Sequence, residues 1–256
     1  MSALLDVRDL SRHYGALRAV DGVSFELAAG DVRALIGPNG AGKSTLFKML
    51  MGETRPNSGE VYFGGARITG LRPARIVRRG IGRTFQITGT WASMSVAENV
   101  QTACLAHDGR TLSILPYARH LHRERAEALL DTVGLADQAD RPAAVLAYGD
   151  LKRLELAIAL AGEPRLLLMD EPTAGMAATE RTDLMETVTR IARETGMTIL
   201  FTEHDMDVVF AHAERVMVLD RGALIAEGTP EEVRADARVR EVYLGVGLDP
   251  EALADA

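Results

Sequence analysis

Residues 37–44 read Gly37-Pro38-Asn39-Gly40-Ala41-Gly42-Lys43-Ser44 and fit G-x-x-x-x-G-K-[ST] at every fixed position. Each residue type has a task in such a segment. Glycines let successive backbone N–H groups turn inward around phosphate oxygens. A helix starting behind the loop adds its positive N-terminus. Lys43 can reach the β- and γ-phosphates of a nucleotide, and Ser44, followed by Thr45, can offer a hydroxyl to Mg2+. Usual residue frequencies give this pattern by chance in roughly one chain per hundred of this length. The strand-like VRALI before it and the helix-like STLFKMLMG after it make a plain Gly-rich turn a poor alternative. Only Lys43, Lys48 and Lys152 are lysines among 29 basic residues. A compact point charge explains Lys43, whereas Lys48 and Lys152 read as chance.

A second group of residues complements the first. LLLMDEP (166–172) puts Asp170 and Glu171 at the end of a short, non-alternating apolar run, as in a strand buried on both faces. In open α/β sheets ligands bind beyond the carboxyl ends of the strands. There Asp170 can hold Mg2+ through water, and Glu171 can orient or deprotonate a water that attacks the γ-phosphate. A polar strand end before a proline turn is the alternative, and the upstream phosphate loop weakens it. His204 ends another such run, MTILFTEH, in a strand expected parallel to that of Asp170. His120 and His122 are two residues apart, so a helix would point them apart; they are expected to be solvated, with no metal site.

The elements that must position these residues follow from periodicity. Residues 4–36 read as strands, and 59–68 as a further strand with a turn at Gly64-Gly65. From about 92 to 161 helical spacing dominates. Residues 165–170 and MTILFTEH are buried strands separated by the helix TDLMETVTRIARETG, which stops at Gly196. RVMVLDRGALIAEG is two strands joined at Asp220-Arg221-Gly222. Strands alternating with helices predict an α/β fold around a mostly parallel sheet. Asp150 is expected to cap a helix beginning near Leu151. The last residues, VGLDPEALADA, are expected to fray.

Composition sets outer limits. The 256 residues suffice for one large domain or two small ones. A net charge of −7 argues against a nucleic-acid partner. The densest basic stretch, Arg72, Arg75, Arg78, Arg79 and Arg83, reads as a solvated helix face partly paired with acidic neighbours. Cys104 is the only cysteine, so no intrachain disulfide can form. No apolar run reaches the ~18 residues of a membrane span, and the N-terminus lacks the apolar core of a signal peptide.

With these motifs in place, the chain resembles the nucleotide-binding subunit of ATP-binding cassette (ABC) transporters over nearly its whole length. The resemblance implies a single domain, 1–256. It would comprise a P-loop NTPase core, an N-terminal antiparallel β subdomain, a helical subdomain at about 92–161 and a C-terminal extension at about 229–256. Tyr14, in RHYGALRAVDGVSF, is similar to the aromatic residue that stacks on adenine; by position alone it could equally be a core aromatic. Gln86, in GIGRTFQ, is similar to the glutamine that joins the Mg2+ shell with Ser44 and Asp170 and senses the membrane partner. LAYGDLKRLELAIAL (146–160) resembles the family signature, in which Tyr148, Gly149 and Asp150 would approach ATP held by the opposite subunit. AGM (174–176) lies where the family has its inter-subunit loop. His204 matches the histidine at the γ-phosphate and joins Glu171 and Gln86 as an expected catalytic residue.

The signature departs from Leu-Ser-Gly-Gly-Gln. Ala147 lacks a hydroxyl that would bond the opposite γ-phosphate, at a cost of about 1–3 kcal/mol. Tyr-Gly-Asp, the Arg153-Leu154-Glu155 that follows, GIGRTFQ, EPTAGM and EGTPEEVRAD resemble the larger ATPase subunit of branched-chain amino-acid importers. That subgroup usually has Asn-Pro where this chain has Ala177-Ala178. The resemblance implies ATP and Mg2+ as cofactors and, as partners, a second ATPase subunit (a paralogue or a second copy) and transmembrane permeases. A periplasmic solute-binding protein would act indirectly. The protein would sit peripherally on the cytoplasmic face of the inner membrane. Trp91 and Met94 are either lining for a permease or core. An ABC ATPase for another solute or for lipid export, a soluble non-transport ABC protein and a cassette that binds without turnover are the competing readings.

Overall fold

The computed structural model describes residues 3–84, 90–108 and 122–244. Gln86, His120 and the C-terminal tail lie outside them. Near the N-terminus, β1 (Leu5–Tyr14) and β2 (Leu17–Leu27) pair antiparallel, from Leu5 opposite Leu27 to Tyr14 opposite Leu17. Along β2 the period of two is plain: Val23, Phe25 and Leu27 are buried while Ser24 and Glu26 face solvent. β3 (Val32–Ile36) breaks that rule, with every residue buried. The phosphate loop then leads into α1 (Lys43–Leu50). β4 (Ser58–Phe63) and β5 (Ala66–Arg67) extend the first sheet, and α2 (Pro73–Val77) and β6 (Ile81–Arg83) follow.

The helices α3 (Val96–His107), α4 (Arg123–Thr132) and α5 (Tyr148–Leu160) come next. α3 starts at a capping box in which Ser95 and Glu98 satisfy each other's backbone N–H groups. β7 (Leu166–Asp170), α6 (Ala178–Thr195) and β8 (Thr198–Thr202) form the next crossover, and α6 stops at Gly196, which takes a left-handed conformation. α7 (Met206–His212), β9 (Arg215–Asp220), β10 (Ala223–Gly228), α8 (Pro230–Ala235) and α9 (Ala237–Leu244) complete the described chain.

The strands form two sheets. One is antiparallel in the order β2-β1-β4-β5; the other runs β10-β9-β3-β8-β7-β6, parallel except for its β10 edge. The fold is therefore the expected α/β arrangement with a mostly parallel sheet. Because β3, β8 and β7 are parallel neighbours, the loops after Ile36, Thr202 and Asp170 leave from one edge. One apolar cluster fills the space between the two sheets around α1; the other packs α3, α5 and α6 on the opposite face. Phe47 and Phe201 are fully buried, each worth about 1.5–3 kcal/mol. They hold α1 behind the phosphate loop and β8 beneath the site.

Four expectations need correction. α5 begins at Tyr148, with Ala147 rather than Asp150 at the capping position; Asp150 lies in the first turn and accepts a hydrogen bond from Gln138 Nε2 at 2.7 Å. Lys152, read above as a chance lysine, is buried and pairs with Glu155 at 3.1 Å, and burial pushes the Glu155 carboxyl up. Arg72, Arg75, Arg78 and Arg79 are exposed as expected, but Arg83 ends β6 with its side chain 8% exposed. His122 is not helical; it stands in a left-handed conformation before α4, its Nε2 3.0 Å from Asp108.

Candidate active site

The phosphate loop is shaped by what crowds it. A Cβ on Gly37 would lie 2.1 Å from the Leu219 carbonyl oxygen, and one on Gly42 2.1 Å from that of Ala19. Both glycines also have positive φ, 153° and 110°. Only glycine meets both conditions. Gly42 precedes α1, so Lys43 and Ser44 open the helix, with the helix dipole behind them. The Lys43 ammonium is buried and donates to the Gly37 and Pro38 carbonyls of its own loop. Burial lowers its pKa, and the charges of Glu171 and Asp170 oppose that shift. Ser44 is exposed and Thr45 half-buried. On the far side of the loop, the buried Tyr243 of α9 lies near the Gly37 backbone.

The acidic strand end is held from β8. Asp170 Oδ1 accepts from Thr202 Oγ1 at 2.9 Å, and Asp170 Oδ2 accepts from Arg83 at 3.0 Å. Glu171 has φ of 50°, uncommon for a residue with a side chain and typical of functional turns. Its N–H is fixed by the Thr202 carbonyl and hydroxyl, both at 3.1 Å. Past Pro172, Thr173 donates through N–H and hydroxyl to Glu203, at 2.9 and 2.6 Å. The Glu171 carboxylate and His204 Nε2 then meet at 2.9 Å, with side-chain exposures of 25% and 44%. A carboxylate able to take a proton and an imidazole able to donate one thus face solvent together.

Lys43, Asp170, Glu171 and His204 come together at one edge of the sheet. The signature residues lie elsewhere, against the loop at 174–177 and the first turn of α6. Tyr148 donates to the Ala174 carbonyl at 3.0 Å, and a Cβ on Gly149 would meet Glu180 Oε1 at 3.0 Å. Tyr14 is 47% exposed, with the Arg12 guanidinium 4.6 Å above its ring, so the core alternative fails. Trp91 is likewise 46% exposed, and Met94 is half-buried. Sequence reasoning missed Arg83, Thr202, Glu203 and Tyr243. A hydroxyl residue closing a buried strand was a usable signal for Thr202; the others carry none.

A family model described as ABC transporter matches residues 20–174, and one described as branched-chain amino acid ATP-binding cassette transporter matches residues 223–249. The chain is 37% identical over 249 residues to a high-affinity branched-chain amino acid transport ATP-binding protein, BraF, of Pseudomonas aeruginosa, covering 94% of this chain and 98% of that one. It is 37% identical over 251 residues to LivG of Escherichia coli, described in the same words, with the same coverage. It is also 35% identical to the lipopolysaccharide export system ATP-binding protein LptB of Acidithiobacillus ferridurans, covering 96% and 98%. Among solved structures, the ADP conformation of MJ1267, an ATP-binding cassette of an ABC transporter, matches with a TM-score of 0.84 and 31% identity, covering 96% of this chain and 100% of that one. Phosphate loop, acidic strand end and these matches agree, and the chain belongs to the ABC transporter family as one of its ATP-binding cassettes, an ATPase.

Proposed function

We propose that this ATPase powers the import of branched-chain or related amino acids. The observation that carries the reading is the match at residues 223–249 to the branched-chain amino acid cassette family, a segment that runs into α9 and the buried Tyr243. The relatives BraF and LivG, described as branched-chain amino acid transport proteins, support it.

The site suits ATP and Mg2+. Lys43 is a buried cation whose acceptors are carbonyls, which leaves its charge for the β- and γ-phosphates. Mg2+ keeps several waters and takes one or two carboxylates plus phosphates; the exposed Ser44 hydroxyl and Asp170 would hold it, and Gln86, outside the described residues, would join them. Mg2+, when bound, neutralises charge that develops between the β- and γ-phosphates. Glu171 orients and deprotonates the attacking water, and His204 passes from Glu171 to the γ-phosphate. Tyr14, exposed at the end of β1, stacks on adenine.

Tyr148, Gly149 and Asp150 serve the ATP of a second ATPase subunit, a paralogue or another copy of the chain. The helical segment, about 92–161, meets the permease. A groove of about 390 Å3 between α2, β6, α3 and α5, lined by Val77, Ile81, Ala103 and Ile158, offers the apolar seat, with the exposed Arg78 on its rim. Among the described residues no helix is long and apolar enough to cross a membrane. As the ATPase of an importer the protein acts from the cytoplasmic face, and a periplasmic solute-binding protein reaches it only through the permease.

The likeness to LptB favours lipid export as the second reading. The chain, reconstituted in liposomes with permease subunits and a solute-binding protein, is assayed for ATP-dependent uptake of leucine, isoleucine and valine. Uptake lost on Glu171→Gln supports import. ATPase activity that responds to lipopolysaccharide and never to amino acids refutes it.

A further inference from the structure

Arg83 stood out in the sequence only as the last of five arginines, and the nucleotide site described above gives it no task. Its surroundings do. It ends β6, beside β7 in a parallel pair that sets Arg83 opposite Leu168. Its guanidinium spans two carboxylates: one arm donates to Asp170 Oδ2 at 3.0 Å, the other to Glu53 Oε1 at 2.8 Å. The Asp170 side chain is 1% exposed and that of Glu53 37%. The other Asp170 oxygen is held by Thr202 at 2.9 Å. The carboxylate proposed to hold a hydrated Mg2+ is therefore already neutralised by a buried guanidinium that cannot lose its proton.

We propose that Arg83 is a positioning residue, the resident counter-ion of Asp170, and that it sets the Mg2+ concentration at which the nucleotide site fills. This rests on the reading of Asp170 as the metal-holding carboxylate. A fixed positive charge a few ångströms from a dication opposes its binding, and strongly so where solvent screens little. The same cation keeps a buried carboxylate from standing unpaired in the metal-free protein, which would be costly. Glu53 supplies the release: partly exposed and already bonded to the second arm, it retains the guanidinium when Asp170 turns to the metal. The two carboxylates thus pull Arg83 in opposite functional directions.

The test is a Mg2+ titration of the full-length chain with saturating ADP, read as the rise in melting temperature, so that no turnover enters. Arg83→Gln lowers the Mg2+ midpoint by about tenfold, equivalent to about 1.4 kcal/mol, and Arg83→Lys, which keeps the charge but not the fork, falls between it and wild type. Glu53→Gln leaves Asp170 as the guanidinium's only anion and raises the midpoint by at least about threefold. General damage to the site would raise both midpoints, so opposite signs mark the proposed role. An unchanged or raised midpoint in Arg83→Gln overturns it. Should that variant fail to fold, an unchanged or lowered midpoint in Glu53→Gln overturns it instead. Asp170→Asn separates the two layers. If it abolishes the Mg2+ response while the Arg83 and Glu53 variants behave as wild type, only the counter-ion role falls. If it titrates as wild type, the metal assignment and the counter-ion role fall together.

Discussion

Glutamine in place of Glu171 changes one oxygen to an amide and leaves the volume of the side chain alone. The backbone at φ of 50° is as strained for glutamine as for glutamate, and its anchors to Thr202 run from its own main-chain N–H. The amide can still hydrogen-bond His204, now 2.9 Å away. Both groups are partly exposed, so the altered contact is worth no more than about 1 kcal/mol of stability. The rate should suffer far more. A positioned general base contributes about 10²–10⁴ in rate, or about 3–5 kcal/mol of barrier. Asp170 keeps both of its partners, so nucleotide binding survives, and removal of a negative charge near the γ-phosphate tightens ATP slightly. Slow hydrolysis with intact binding then lets a closed, ATP-filled pair of subunits accumulate. The assay is steady-state turnover together with ATP-dependent particle mass, made with the partner subunit present. Hydrolysis within about tenfold of wild type, a barrier change of only ~1.4 kcal/mol, with no larger particle, would remove Glu171 from the mechanism.

Three further outcomes are expected. Lys43→Ala abolishes tight ATP binding in an equilibrium titration, because the loop offers no other cation; near-normal affinity contradicts the site. Gly42→Ala meets both a φ of 110° and the Ala19 carbonyl at 2.1 Å, so it lowers stability by about 3 kcal/mol or more and weakens nucleotide binding; a wild-type melting curve refutes the geometry. Burial lowers the Lys43 pKa, so the folded protein gives up that proton first as pH rises. Between the folded value and the ordinary lysine value of about 10.4, the unfolded chain holds more protons, and stability gains with pH. ATP affinity falls over the same alkaline window, and an undiminished alkaline gain in stability in Lys43→Met would show that another group is titrating.

What the sequence disclosed and what it hid divide along a physical line. Gly37 to Ser44 and Asp170-Glu171 are contiguous runs in which a buried strand hands over to a polar turn, so local pattern suffices. His204 was legible for the same reason, and the buried strands were recognisable because none of them alternates. Arg83 was misread because its neighbours in the chain are exposed arginines, whereas its partners, Glu53 and Asp170, are brought to it by strand pairing. Thr202 and Glu203 act through bonds to residues about thirty positions away. The start of α5 was placed three residues late, near Leu151 instead of Tyr148. The Tyr148 hydroxyl anchors that turn to the Ala174 carbonyl, a contact that no capping rule contains. Lys152 looked incidental because its partner lies one helical turn on, inside the core.

Tyr243 gives the end of the chain a stake in its beginning. Its helix is short and near the C-terminus, the kind of segment usually trimmed or fused to an affinity tag without thought. Yet its hydroxyl lies near the backbone of Gly37, the first residue of the phosphate loop. A protein shortened before α9 would keep every nucleotide-contacting residue and still offer ATP a looser cradle. Preparations that differ only in how they end would then disagree about nucleotide affinity.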